Sequence, residues 1–83
     1  MTHELKILEC YADAKVAGDK LFEIRDNQDK GFQKGDRIKY EVIDSLGLSI
    51  VDHPLKYKEY EITYVTNYNQ KDGYVVFGEK EIN

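Results

Sequence analysis

One run in the chain has residue types and spacing suited to chemistry: Gly18-Asp19-Lys20-Leu21-Phe22-Glu23-Ile24-Arg25. On an extended strand alternate side chains share a face, so Glu23 and Arg25 point the same way. A carboxylate and a guanidinium so placed pair with each other or grip a polar ligand jointly. Lys20 stands at the mouth of that strand, on a stem long enough to reach the same ligand. The run therefore reads as an anion- or base-recognition site. On spacing alone the bland alternative is stronger: a solvated strand face with a surface ion pair, which contributes little.

Other candidates carry less. His3 and His53 lie far apart, and no cluster of cysteine or histidine accompanies them, so neither a metal nor a cofactor is expected. Asp26, Asp29 and Asp36 lack the spacing of a calcium loop. Cys10, at the start of an expected helix, reads as a small buried hydrophobe. Of the tyrosines that would stack on bases, Tyr60 and Tyr64 alternate with Ile62 and are assigned to the core, while Tyr68 lies in an expected turn and is the best exposed candidate.

The elements that must position these residues follow from hydropathy patterning. Alternation at Leu5 and Ile7 gives a first strand over 3–8. Residues 10–17, with three alanines, form a short helix stopped by Gly18, its inner face built from Tyr11, Ala14 and Ala17. A strand over 20–26 places Phe22 and Ile24 on one face, expected to be buried, and Leu21, Glu23 and Arg25 on the other. A polar loop from Asp26 to Gly35, tucked down by Phe32, leads through the Gly35-Asp36 turn into a strand with Ile38, Tyr40 and Val42 inward. Residues 45–55 fit either a hairpin arm or an ordered loop, ended by His53-Pro54. A strand over 57–66, a turn over 67–73 and a closing strand over 74–78 complete the chain, with Tyr60, Ile62, Tyr64 and Val75 inside. So many short strands in one small domain, residues 1–83, suggest a curled or closed sheet that hides its edges.

Composition narrows the partners. Sixteen acidic and twelve basic residues leave a net charge of −4, which gives no general attraction to a phosphate backbone. The single cysteine forbids an intrachain disulfide and points to a reducing compartment, the cytoplasm. No apolar run approaches the roughly 20 residues of a membrane span, and the first residues lack a signal-peptide layout.

The central run resembles the Gly-x-Lys-(Thr)-x-Glu-x-Arg motif of the ASCH-domain superfamily. Nearly the whole chain is similar to a branch of small stand-alone ASCH-like proteins with no assigned activity. The likeness rests on His3, Leu5, Lys6 and Ile7; on Lys20, Glu23, Ile24 and Arg25; on Asn27 and Phe32, Gly35 and Asp36, Ile62 and Thr63; and on Gly73, Tyr74, Val75 and Val76. It implies a PUA-like β-barrel, α+β and mainly β, of about five to six strands with one or two short helices. It also implies an RNA- or nucleotide-binding module with ligand-binding residues Lys20, Glu23, Arg25, Lys6, His3 and Asn27. The cleft is then expected between Lys20 and the loop from Asn27 to Lys34, recognising single-stranded or modified bases.

Some relatives of that superfamily hydrolyse acylated cytidine through the motif lysine, a threonine three residues later and a distant glutamate. Here Lys20 matches, but Leu21 replaces the usual threonine after it and Glu23 stands at the nucleophile's position. A carboxylate is not an equivalent nucleophile for amide cleavage. A nucleoside hydrolase using Lys20 and Glu23 as acid–base partners is therefore the second hypothesis. A protein-interaction module presenting Leu46, Leu48 and Ile50 is the third.

Overall fold

The computed structural model describes residues 1–28 and 30–82; Asp29 lies outside the described residues. The architecture is α+β, mainly β: a five-stranded sheet curled into a half-barrel. The strands are β1 (Thr2–Leu8), β2 (Phe22–Asp26), β3 (Arg37–Ile43), β4 (Glu59–Thr66) and β5 (Tyr74–Ile82). Helix α1 (Glu9–Val16) joins β1 to β2, and a 3-10 turn (Pro54–Tyr57) precedes β4. The sheet order is β1-β3-β4-β5-β2, so β1 and β2 are its two edges. β1 runs parallel to β3, and the remaining pairs are antiparallel.

Strict alternation builds the core. Leu5 and Ile7 from β1, Ile38, Tyr40 and Val42 from β3, Tyr60 and Ile62 from β4, and Val75 and Phe77 from β5 are all buried. Phe32 tucks its loop inward as expected and packs, tilted, with its ring centre 5.0 Å from that of Phe77. The segment over 45–55 is an ordered loop, with a single bridge between Ile43 and Ser49. Ile50 packs against the core, whereas Leu46 and Leu48 are exposed. His53 then anchors the 3-10 turn. Its Nδ1 accepts the Leu55 N–H at 3.1 Å, so in the neutral ring Nε2 carries the proton that meets Asp13 Oδ1 of α1 at 2.7 Å.

Four expectations are corrected. Tyr64 is exposed, because the pairing of β4 with β5 shifts between Ile62 and Tyr64. The irregularity inserts an extra residue and turns the strand's later side chains over. Phe22 and Ile24 are exposed at 44% and 55%, while Glu23 between them is 4% exposed. A strand's side chains invert as a set, and this edge strand is set by the partners of Glu23 rather than by its apolar residues. On α1 the buried residues are Ala12 and Lys15; Tyr11 and Ala17 are exposed and Ala14 is half-buried. Cys10, on the first turn, faces away from the sheet and is exposed.

The end of α1 follows the expected chemistry. Gly18 adopts φ +83°, Asp19 N–H donates to Ala14 O at 2.9 Å and Gly18 N–H to Lys15 O at 3.0 Å. This double bond pattern is a Schellman closure, which a left-handed glycine permits at little cost. It turns the chain sharply enough that Lys20 N–H also reaches Ala14 O, at 3.3 Å.

Ile62→Ala, which removes a side chain with no exposed surface, is expected to destabilise the protein by about 2–5 kcal/mol in chemical denaturation. Tyr64→Ala is expected to shift stability far less. An equal loss for both would contradict the bulged register.

Candidate functional site

The site is built at the seam where the half-barrel stays open. Edge strands β1 and β2 do not pair with each other through their backbones; a side chain bridges them instead. Arg25 Nη2 of β2 donates to the Lys6 carbonyl of β1 at 3.0 Å and to Glu23 Oε1 at 2.9 Å. Arg25 Nε adds a second bond to the same oxygen at 3.1 Å. The other carboxylate oxygen of Glu23 accepts Lys20 Nζ at 2.7 Å and lies 2.9 Å from Lys15 Nζ. One carboxylate is thus held by three cations, from β2, from the helix–strand junction and from the inner face of α1.

Beneath it, Lys15 also pairs with Glu79 of β5, and both side chains are wholly buried. Tyr40 donates its hydroxyl to the second oxygen of Glu79 at 2.5 Å. Lys15 Nζ lies 4.8 Å from the centre of the Tyr40 ring and 5.5 Å from that of Tyr60. Taken together, three cations face two carboxylates.

Burial pushes the Glu23 carboxyl up, but hydrogen bonds from Lys20 and Lys15, with the charges of Lys15 and Arg25, outweigh it and hold the group below its ordinary value. Deeper in, burial wins, and Glu79 is raised despite Lys15 and Tyr40. Burial and then the neighbouring Glu79 charge push the Tyr40 hydroxyl far upward, so Tyr40 remains a donor.

Above the cluster lies an open cleft of about 500 Å³. Its polar floor is Lys20, Glu23 and Arg25; Leu8, Tyr11, Phe22 and Ile24 line it with apolar surface. Lys20 Nζ sits 4.9 Å from the centre of the Phe22 ring and 5.6 Å from that of Tyr11, a cation beside two exposed π faces. Donors remain. Lys20 Nζ spends bonds on Phe22 O and Glu23, leaving one N–H, and Arg25 Nη1 has no partner among the described residues.

Of the six residues expected to bind ligand, the structure brings Lys20, Glu23, Arg25 and Lys6 together at this cleft. It separates the other two. His3 is buried on β1, where Nε2 meets Asp36 Oδ2 at 2.8 Å and the ring packs 4.6 Å from Phe32, bracing the loop before β3. Asn27 Oδ1 accepts the Phe32 N–H at 2.7 Å from the other end of the same loop. The expected wall from Asn27 to Lys34 is therefore replaced by β1 and α1.

Lys15, Glu79 and Tyr40 went unforeseen as site residues. The signal for Glu79 was its place two residues beyond Val75 and Phe77 in an inward alternation; for Lys15 it was the three-residue step from Ala12. Among the described residues no group of three metal-ligating side chains gathers, and no helix is long and apolar enough to cross a membrane.

The fold and site define a small, mainly β domain with a cationic, aromatic-walled cleft at an unclosed sheet seam. The chain belongs to the family described as Domain of unknown function (DUF3850), whose model matches residues 2–79. No curated protein matches it.

Glu23→Gln removes the charge that three cations share, and is expected to cost about 3–5 kcal/mol at neutral pH, as breaking other buried ion pairs does. Because the folded-state value of Glu23 lies below 4.5, its contribution is complete above that pH and declines as acid passes through the folded-state value. Denaturant melts of both proteins should therefore differ most at neutral pH and converge below pH 4.5. A gap that stays constant with pH would contradict the ionised, clamped carboxylate.

Proposed function

We propose that the protein is a cytoplasmic binding module for single-stranded RNA or nucleotides, with the base received in the seam cleft. The observation that carries this reading is the pairing of uncommitted Lys20 and Arg25 donors with the exposed Tyr11 and Phe22 rings at one opening. A base presents carbonyl and ring-nitrogen acceptors on its edge and a π face on each side, so donors beside aromatic walls complement both. Glu23 fixes the two cations in place, so little side-chain freedom is lost when a ligand arrives. The same carboxylate neutralises much of their charge, which favours a base edge over a phosphate. The resemblance of Lys20, Glu23 and Arg25 to the ASCH motif supports the same assignment.

Hydrolysis has less support. The cleft lining contains no serine, threonine, cysteine or histidine among the described residues, and Glu79 is too deeply buried to touch a ligand. Glu23 is engaged by three cations, which makes it a poor base.

Calorimetric titration at low salt with nucleosides, nucleoside monophosphates and short RNA pools tests the binding. Lys20→Ala and Arg25→Ala are each expected to weaken affinity by about tenfold or more, the scale of a lost hydrogen bond from a charged donor. Equal affinity in wild type and both variants would remove the cleft as the site.

Incubation with acylated cytidine should give no deacylation by the wild type. Rapid turnover that disappears in Lys20→Ala would establish the hydrolase instead.

A further inference from the structure

A second hollow, of about 350 Å³, lies beyond the far end of β2 and differs in chemistry from the cleft. Four carboxamides line it, Asn27 and Gln28 from the loop after β2 and Asn67 and Gln70 from the turn between β4 and β5, with Lys71, Asp72 and Tyr74 beside them. The two loops interlock. Asn27 N–H donates to Gly73 O at 2.7 Å, and a Cβ at Gly73 would come within 2.7 Å of Gln28 Nε2. Gly73, at φ +81°, thus lets Gln28 lie directly on the opposing turn.

The amides are only partly spent. Among the described residues, Asn27 uses its carbonyl oxygen on the Phe32 N–H and keeps its amide N–H groups, while Gln70 donates from Nε2 to Tyr68 O at 3.4 Å and keeps its carbonyl. The Asn67 side chain has no partner among the described residues. Carboxamides set a donor beside an acceptor, the pattern that base edges also present. Tyr74 also lines the hollow, and Lys71 Nζ lies 5.6 Å from the centre of its ring.

The position of the hollow matters as much as its lining. Arg25, on the floor of the cleft, is the direct cross-strand partner of Val75, which lines the hollow, and Asp26 pairs with Tyr74 in the same way. Directly paired residues stand about 5 Å apart across a sheet. The linings of the two depressions therefore approach within one strand spacing of each other at β2, close enough for a ligand longer than one nucleotide to reach both.

We propose that the amide-lined hollow is a second subsite, which receives the nucleotide next to the one in the cleft, so that the ligand is a single-stranded RNA segment of at least two nucleotides. This rests on the cleft binding a base as described above, and it goes further by making a free nucleoside an incomplete ligand. Asn67 and Gln70 read the edge of the second base, and Lys71 in the same lining offers its charge to the linking phosphate.

Titration of the protein with a nucleoside monophosphate series and with the matching dinucleotides reads the second subsite directly. Dinucleotides are expected to bind at least about tenfold more tightly than mononucleotides, the scale of the hydrogen bonds that Asn67 and Gln70 add. In the double variant Asn67→Ala/Gln70→Ala, built on turn residues outside the core, the dinucleotide should fall to mononucleotide affinity. Mononucleotide binding with no gain for dinucleotides, or a gain that survives the double variant, overturns the subsite while leaving the cleft reading intact. Binding of neither ligand overturns both.

Discussion

An ammonium group inside a curled β-sheet must be met by carboxylates, and that requirement organises this protein. Lys15 enters from α1 and finds Glu79 on β5 and Glu23 on β2. An unpaired buried charge costs several kcal/mol, so each partner is obliged to face inward once the others do. The cluster thereby docks the helix onto the sheet and sets the facing of an edge strand. α1 could not do this through an apolar stripe, since Ala12 and Lys15 are its buried residues. Paired buried charges add little net stability compared with apolar packing, but they tolerate fewer alternative arrangements.

The facing of β2 has a consequence for the surface. With Glu23 inward, Phe22 and Ile24 are exposed, and with Tyr11 and Leu8 they surround the seam with apolar area that a folded domain otherwise hides. The seam itself stays open because a guanidinium, rather than a backbone ladder, joins β1 to β2. Lys20 and Arg25 are then held at the mouth by the carboxylate that inverted the strand. The structural cluster and the proposed binding surface are thus two sides of one residue, Glu23, buried on one flank by Lys15 and facing the cleft on the other.

The same arrangement limits chemistry. Glu23 is surrounded by donors and kept ionised, Glu79 is sealed below it, and the Tyr40 hydroxyl is committed to Glu79. Groups so firmly paired orient a ligand well and exchange protons poorly, which suits recognition more than turnover. His3 and Asn27 serve the protein from outside the cleft, clasping the two ends of one loop through Asp36 and Phe32.

The amino-acid sequence by itself determined the strands and most of the core. Alternation at Leu5 and Ile7, at Ile38, Tyr40 and Val42, and at Tyr60 and Ile62 has one solution when a single face is covered, and Gly18 stops the helix wherever it packs. It also marked Lys20, Glu23 and Arg25 as belonging together, because a two-residue step on a strand fixes a shared side. The tertiary structure alone decided which side that was. Phe22 and Ile24 argued for one facing and Glu23 for the other, and the outcome depended on Lys15 and Glu79, residues 8 positions before and 56 positions after Glu23. The bulge that exposes Tyr64 and the separation of His3 and Asn27 from the cleft are likewise visible only in the assembled sheet. Local periodicity records how a segment alternates, but the choice between its two faces is made by charges that meet only after the sheet has curled.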